Sequence, residues 1–135
     1  MSPEVAIVTM AMRLLAPTGD VPALAAAIVA EARSWDEVTL AVGVAFREGS
    51  NRLGVVGDQG RARCVMQLHA APREVLTDAR LCVRIGMARL RASAALCPDT
   101  PLAAYAGAPC GSRRAAWFSR DRWRVGSAAL GRVLQ

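Results

Sequence analysis

The chain has 135 residues, of which 53% are hydrophobic and 4% aromatic, and it carries a net charge of +6 at pH 7. A chain of this length can bury about two thirds of its unfolded surface, so it can form a hydrophobic core without a metal ion. Because Ala, Val and Leu dominate the hydrophobic residues, the composition favours packed helices over a β-sandwich. We predict one mostly α domain that spans residues 1–135.

Charge is distributed unevenly, and all 17 basic residues are arginines. Residues 1–60 hold 4 arginines and 7 acidic residues, a net charge of −3, whereas residues 61–135 hold 13 arginines and 4 acidic residues, a net charge of +9. A basic half is attracted to polyanions such as nucleic acid or an anionic bacterial wall. Charge alone does not choose between these partners.

The first predicted helix begins at Pro3 and ends before Ala16-Pro17-Thr18-Gly19. Its apolar run, from Val5 to Met12, has no basic residue before it and is far shorter than the roughly 20 residues of a membrane span. We therefore expect a buried amphipathic helix, with neither a signal peptide nor a transmembrane segment.

Two further helices follow in the acidic half. Asp20 is the predicted cap of the second, which has Pro22 in its first turn and continues to about Ala32. The third runs from Glu37 to about Glu48, with Ser34 or Asp36 at its start. Short connections predict that the three helices pack as antiparallel neighbours.

Glu48 lies at the end of the third helix, and its position is unusual for an acid. Steps of three and four residues back from it reach Ala45, Val44 and Ala41, so the acid continues an apolar stripe. Partial burial disfavours the charged form of a carboxyl group and helps it to keep its proton. The pattern predicts a general acid.

Residues 49–63 are rich in Gly, Asn, Asp and Arg, which argues against a helix. Leu53–Gly57 and Cys64–Leu68 are short enough and apolar enough to form extended segments. We predict that they make a small β-ribbon or loop, which forms one wall of a cleft.

The basic half is predicted to be helical, and the arginines of its long helix are expected to face solvent. These arginines are Arg80, Arg84, Arg89 and Arg91. The predicted elements are a helical turn over 71–76, a long helix over 79–96 capped by Thr77-Asp78, a short helix over 102–106 that ends at Gly107, a helix over 112–124 and a weakly patterned end over 128–134.

Four cysteines lie in the basic half, at positions 64, 82, 97 and 110. Their spacing fits neither a zinc knuckle nor a Cys-x-x-Cys redox motif. Cys97 and Cys110 bracket a short loop and helix, which favours a disulfide between them and leaves Cys64 and Cys82 for a second one. Four buried free thiols are the alternative.

Several motifs occur in an order that resembles one family. Glu48 ends a helix, Gly57-Asp58-x-Gly60 forms a glycine-rich loop, Met66-Gln67 follows, and Ala103-Ala104-Tyr105-Ala106-Gly107 comes after a long helix. Residues 21–125 resemble the soluble lytic transglycosylase and goose-type lysozyme superfamily in this order. The resemblance implies a lysozyme-like helical domain with a small β-ribbon beside the cleft.

The resemblance also implies a reaction, cleavage of the β-1,4 bond between N-acetylmuramic acid and N-acetylglucosamine in peptidoglycan, with Glu48 as the general acid. A lytic transglycosylase needs no second carboxylate, whereas an inverting lysozyme needs one. Asp58 matches the candidate base of goose-type lysozymes, although its loop position also suits a turn-former. His69 stands where those enzymes have a second Asp, and a structural or surface role is favoured for it.

Five residues are predicted to bind substrate: Ser50, Arg61, Met66, Gln67 and Tyr105. Gln67 could hydrogen-bond an N-acetyl group or Glu48, or only pin the loop. Tyr105 could hydrogen-bond the catalytic carboxyl group, line the cleft or only pack. Arg61 and Arg63 could meet carboxylates of the peptide stems.

Two tryptophans of the C-terminal helix, Trp117 and Trp123, have two candidate roles. They could stack on sugar rings, but their helical spacing favours a role as core anchors. We expect no cofactor and, with a single histidine, no metal site.

The implied setting is a protein made in the bacterial cytoplasm without a signal peptide and acting on the cell wall. A bacteriophage endolysin released by a holin, or a lysin carried in a virion, fits this setting. A non-catalytic lysozyme-like module of a phage particle is the rival hypothesis. A basic nucleic-acid binder fits less well, because no helix-turn-helix spacing is visible, and we expect no nucleic-acid partner.

Overall fold

Five α-helices and a small antiparallel sheet make up the computed structural model, which describes residues 1–135. The mostly α fold class with a small β-ribbon is therefore confirmed. The helices are α1 (Pro3–Leu15), α2 (Val21–Glu31), α3 (Trp35–Gly49), α4 (Ala79–Leu96) and α5 (Arg113–Val133). The strands are β1 (Val56–Gly57), β2 (Ala62–Arg63) and β3 (Leu68–His69), and 3-10 turns span Asp58–Gly60 and Arg73–Leu76.

Side-chain caps determine where most of the helices begin. In each of four helices, an oxygen of the residue before the helix accepts a hydrogen bond from a first-turn N–H group. These caps are Ser2, Ser34, Asp78 and Ser112. Asp20 precedes α2 as predicted, but its carboxylate makes no cap bond. It accepts a hydrogen bond from the Leu53 N–H at 2.8 Å instead, which ties α2 to the chain that follows α3.

The segment predicted as a helix over 102–106 is a series of turns instead. Two of its backbone N–H groups donate to serine hydroxyls of neighbouring helices. Leu102 donates to Ser119 Oγ of α5 at 3.1 Å, and Tyr105 donates to Ser93 Oγ of α4 at 3.2 Å. Because these amides bond to side chains, they do not join a regular helical ladder, and the prediction of a short helix is wrong.

The last helix is longer than predicted, since α5 continues without a break to Val133. Its buried residues follow steps of three and four along the whole helix: Ala115, Ser119, Arg122, Gly126, Ala129 and Leu130. This buried stripe packs the weakly patterned end of the chain against the core.

The core surrounds α3, which packs most extensively against α5. The backbones of the two helices touch. A Cβ atom on Gly43 would overlap the carbonyl oxygen of Arg122, and one on Gly126 would overlap the carbonyl oxygen of Thr39. These two glycines permit the close approach because they have no side chain.

Ion pairs link α4 to the first half of the chain. Glu31 of α2 accepts hydrogen bonds from Arg80 at 2.6 Å and Arg84 at 3.2 Å. Glu37 of α3 pairs with Arg91 at 2.7 Å, and hydrogen bonding from this guanidinium holds the pKa of Glu37 below its usual value. The arginines predicted to face solvent on α4 therefore include three that bind acidic partners.

One disulfide holds the ribbon formed by β1, β2 and β3, and the other closes the turn segment, which is the chain between α4 and α5. β1 pairs with β2, and β2 pairs with β3, both antiparallel. Cys64–Cys82 joins the ribbon to α4, and Cys97–Cys110 closes the segment between α4 and α5. Both predicted pairings are confirmed. None of the helices has the length and hydropathy needed to cross a bilayer.

The α3–α5 contact predicts opposite effects for two glycines of α5. Gly126→Ala should lower the free energy of unfolding by about 3 kcal/mol, because the added methyl group forces the helices apart. Gly131 has no neighbouring atom within 4 Å of an added Cβ. Gly131→Ala should therefore raise stability by about 0.5 kcal/mol through helix propensity. Urea unfolding measures both, and equal effects would contradict the contact.

Candidate functional site

The end of α3 is held rigidly in place by Asn51. Ser50 and Asn51 both have positive φ, at 49° and 60°, which ends the helix immediately after Gly49. The Asn51 side chain is buried, and its Nδ2 donates to the Met12 carbonyl at 2.9 Å. The backbone carbonyl of Asn51 accepts a hydrogen bond from the backbone N–H of Asp20 at 2.7 Å. Asn51 thus fixes the turn after Glu48, a role that the tolerance of asparagine for positive φ could have suggested from sequence.

Glu48 lies where α3 ends, with the side-chain carboxylate 21% exposed. Ala41, Val44 and Ala45 are fully buried, as the apolar stripe predicts. The carboxylate itself is not in an apolar setting, however. It accepts a hydrogen bond from Arg122 Nη2 at 2.8 Å, so the apolar stripe does not extend to the carboxylate.

Arg122 was not singled out by the sequence, yet it is the partner of the proposed acid. Its side chain is 9% exposed and lies over the Phe118 ring, 3.5 Å from the ring centroid. Its Nη1 donates to Asp121 at 2.9 Å, and Asp121 also pairs with Arg47 at 3.0 Å. The signal in the sequence was periodicity, because Arg122 falls on the buried stripe of α5 between Ser119 and Gly126.

A cleft of about 650 Å³ opens between the ribbon, α4 and the turn segment. It contains Asp58, Gln67 and Tyr105, which are three of the predicted site residues. Glu48 is not part of its lining. The lining residues are Asp58, Gln67, Leu68, His69, Arg89, Ala92, Ser93, Leu96, Ala104, Tyr105, Ala106, Gly107 and Arg114.

Tyr105 connects the cleft to Glu48. Its hydroxyl donates a hydrogen bond to the Met66 carbonyl, while its ring lines the cleft. Burial raises the pKa of Tyr105 far above its usual value, and the negative charge of Glu48 raises it further. The chain around Glu48 also packs against the segment that Tyr105 binds, since Gly49 lies against Val65, the neighbour of Met66. Tyr105 therefore packs and lines the cleft, but the hydrogen bond to the Glu48 carboxyl group that the sequence also allowed is not formed, because the hydroxyl binds the Met66 carbonyl.

Gln67 is held by the ribbon that it belongs to. Its Nε2 donates to the carbonyl of Cys64 at 2.9 Å and to that of Val55 at 3.4 Å. These bonds stabilise a loop in which Gln67 itself has a φ of 52°. The side chain thus pins the backbone, and it still presents one face to the cleft.

Asp58 and His69 are brought together at the mouth of the cleft. Asp58 Oδ2 lies 3.3 Å from His69 Nε2, and each side chain is more than half exposed. Asp58 has a φ of 50°, so it forms the turn as well as lining the cleft. The sequence paired these two positions only through the family resemblance, and the ribbon places them side by side.

Other predicted binding residues lie away from the cleft lining. The Met66 side chain is fully buried in the core, and only its carbonyl takes part in the site. Ser50 and Arg61 are exposed but outside the lining. Arg63 donates to the Ala71 carbonyl at 2.8 Å, which ties it to the backbone.

Neither tryptophan singled out in the sequence anchors the core. Trp117 is 58% exposed and Trp123 is 39% exposed, so the favoured interpretation of a core role is wrong. Neither belongs to the cleft lining, and Trp123 contributes to a separate cavity of about 470 Å³. The core side of α5 is formed by small residues such as Ala115 and Gly126 instead.

Comparison with known proteins identifies no relative, since no protein-family model, curated protein or solved structure matches the chain. The resemblance to lytic transglycosylases and goose-type lysozymes therefore rests on the motifs themselves. The arrangement of Glu48, Tyr105 and the cleft carries the functional proposal.

The single tyrosine of the chain makes its environment directly measurable. Tyr105 should show no phenolate absorbance near pH 10 while the protein stays folded, because its pKa is raised above the usual 10.0. The unfolded chain titrates near that value, so stability should be unaffected below about pH 10 and fall as pH rises above it. Tyr105→Phe should remove that pH dependence. A phenolate band that titrates near pH 10 in the folded protein would contradict the burial.

The Glu48–Arg122 pair predicts a large effect of removing the cation. Arg122→Met should lower the free energy of unfolding by about 3 kcal/mol, because the Glu48 carboxylate then loses its partner in a partly buried place. The exposed Arg124, on the same helix, provides the control, and Arg124→Met should change stability by less than about 0.5 kcal/mol. Chemical unfolding measures both. Additive losses in Arg122→Met and Glu48→Gln would show that the two side chains are not coupled.

Proposed function

We propose that the protein cleaves the glycan strands of peptidoglycan at the β-1,4 bond between N-acetylmuramic acid and N-acetylglucosamine. Glu48 is the general acid, and the cleft beside Tyr105 binds the sugars. The observation that carries this proposal is geometric: Tyr105 lines the cleft and binds the Met66 carbonyl, and Gly49, next to Glu48, lies against Val65. The ribbon therefore connects the acid with the binding surface.

The chemistry that we favour needs one carboxyl group. Glu48 donates its proton to the glycosidic oxygen, and the bond between that oxygen and C1 of the muramic sugar breaks. The resulting carboxylate accepts the proton of the C6 hydroxyl of the same sugar while O6 bonds to C1. The products are a free 4-hydroxyl on the leaving sugar and a 1,6-anhydro end, the outcome of a lytic transglycosylase.

Arg122 is the cation that pairs with Glu48 in the second half of this reaction. Its hydrogen bond at 2.8 Å stabilises the carboxylate, which is the form that accepts the C6 proton. Proton donation in the first half requires that the bound strand displaces this contact. The Glu48 side chain is 21% exposed, so it is open to contact from outside the protein.

Asp58 and His69 support a hydrolytic version of the same proposal. They lie 3.3 Å apart in the cleft lining, and an inverting lysozyme uses a second carboxylate to activate water. In that reaction water attacks C1, and the product has a reducing end in place of an anhydro end. The mass of the products distinguishes the two reactions.

A non-catalytic module is favoured by one specific observation, the Glu48–Arg122 ion pair. A carboxylate held by a buried guanidinium outside the cleft lining can serve as a structural pair alone. The cleft would then bind glycan strands without cleaving them, as a lysozyme-like component of a phage particle. Binding without product release is the signature of this alternative.

The two disulfides support the proposed setting. Disulfides persist in oxidising surroundings such as the periplasm or a virion surface. A bacteriophage endolysin released by a holin, or a lysin carried in the virion, reaches the peptidoglycan under such conditions. The net charge of +9 in residues 61–135 would strengthen adhesion to an anionic wall.

The decisive test is the release of muropeptides from purified sacculi. Glu48→Gln should reduce release by about 10²–10⁴-fold, because the amide cannot donate the required proton. The exposed acid Glu74, which makes no ion pair, provides the matched control, and Glu74→Gln should retain full release. Anhydro ends in the product masses support the transglycosylase, and reducing ends support the lysozyme. Equally undetectable release from the unmodified protein and Glu48→Gln would sink the enzyme proposal.

A further inference from the structure

Two arginines line the cleft without any partner in the protein. Arg89 belongs to α4 and Arg114 to the first turn of α5. Neither makes a side-chain hydrogen bond or an ion pair, whereas Arg80, Arg84 and Arg91 of α4 all bind acidic residues. The guanidinium groups of Arg89 and Arg114 are therefore available to a ligand.

Arg89 and Tyr105 both belong to the cleft lining. Arg89 is partly buried, and its positive charge acts on the Tyr105 phenol in the direction opposite to that of Glu48. A partly buried guanidinium without a counter-ion is costly unless an anion joins it. Arg89 thus marks a place in the cleft where a negative charge would be stabilised.

Arg114, in the first turn of α5, adds a second cation to the cleft lining. The first turn of α5 contains no acidic residue, although acidic side chains are the ones that favour this position. Arg113 and Arg114 occupy it instead. The first turn of α5 therefore carries an excess of positive charge, as Arg89 does in α4.

The remaining lining supports an anionic ligand with apolar faces. Asp58 is the one acidic residue in the lining, and it is paired with His69 at 3.3 Å. Leu68, Leu96 and Ala104 supply apolar surface between the charged groups. The cleft is therefore net positive and partly apolar, which suits a sugar ring that carries a carboxylate better than a neutral sugar.

We propose that Arg89 and Arg114 bind a carboxylate of the substrate and thereby select anionic glycan strands over neutral ones. The planar guanidinium fork matches the two oxygens of a carboxylate. The inference rests on the proposed function, because it assumes that the cleft holds a glycan. It also replaces the predicted roles of Arg61 and Arg63, which lie outside the cleft lining.

Two carboxylates of peptidoglycan have this chemistry, the one on the muramic sugar itself and those of the attached peptide. Three soluble ligands separate them. Strands with their peptides carry carboxylates on the peptides, because the muramic carboxyl group is then part of the amide bond to the stem. Strands stripped of peptides by an amidase carry only free carboxylates on the sugars, and chitin oligosaccharides carry none.

The experiment measures dissociation constants in the full-length Glu48→Gln protein, which keeps the ligands intact. Arg89→Gln and Arg114→Gln remove one charge each. Arg124→Gln is the control, since Arg124 is an exposed arginine of α5 outside the cleft lining and changes the net charge by the same amount. Circular dichroism checks that each variant is folded. If Arg89→Gln does not fold because Arg89 is partly buried, Arg114→Gln still tests the proposal.

The dissociation constant for anionic strands should rise about tenfold in each cleft variant, because a hydrogen bond to a charged group is lost. It should stay constant for chitin oligosaccharides and for Arg124→Gln with every ligand. If the cleft variants bind stripped strands more weakly, the bound carboxylate belongs to the sugar. If the loss of affinity is confined to strands with peptides, the carboxylate belongs to the peptide stem.

Three outcomes would overturn the inference. The first is an equal loss of affinity in Arg124→Gln and in the cleft variants. The second is an equal loss of affinity for the neutral oligosaccharide and for the anionic strands, and the third is no measurable binding of any strand. The test is independent of cleavage. Selective binding by Arg89 and Arg114 without muropeptide release sinks the enzyme proposal alone, and release from a protein whose selectivity the two variants leave unchanged sinks the carboxylate site alone.

Discussion

The direct backbone contact between α3 and α5 determines where the charges of the site lie. Gly43 and Gly126 let the two helices touch, and this contact fixes the rotation of α5 about its axis. The rotation turns Arg122 inward onto Glu48. It also turns Trp117 and Trp123 outward, although large aromatic residues usually occupy a core. The acid, its cation and the exposed tryptophans are thus consequences of one packing constraint.

The sequence predicted the local structure well because local structure has local causes. Caps such as Ser34 and Asp78, and glycine and proline at segment ends, mark where helices start and stop, and the observed bounds of α3 and α4 follow them. The disulfide pairs were predicted because a short loop brings Cys97 and Cys110 together. The failures are all long-range. The turns over 102–106 depend on Ser93 and Ser119, which come from other helices.

The site was predicted less completely than the fold for the same reason. Glu48 and Tyr105 were found through motifs, but the ion pair of Glu48 crosses 74 positions of sequence. No local pattern specifies that Arg122 will be its partner, because the pairing exists only once α3 and α5 have packed. The sequence could place Arg122 on a buried face and could not say which acid it meets. The same limit applies to Arg89, whose lack of a partner is visible only when the positions of all the acids are known.

The balance of charge around Tyr105 connects the proposed reaction with the proposed selectivity. Glu48 raises the pKa of this tyrosine, whereas Arg89 and Arg122 act in the opposite direction, so two cations face one carboxylate. A second carboxylate, supplied by the substrate, would balance the charge of the second cation. An anion bound at Arg89 would also repel the Glu48 carboxylate, which would weaken the ion pair between Glu48 and Arg122. In the proposed mechanism, binding of an anionic strand in the cleft and release of Glu48 from Arg122 are parts of one step, because both redistribute the charges that act on Tyr105.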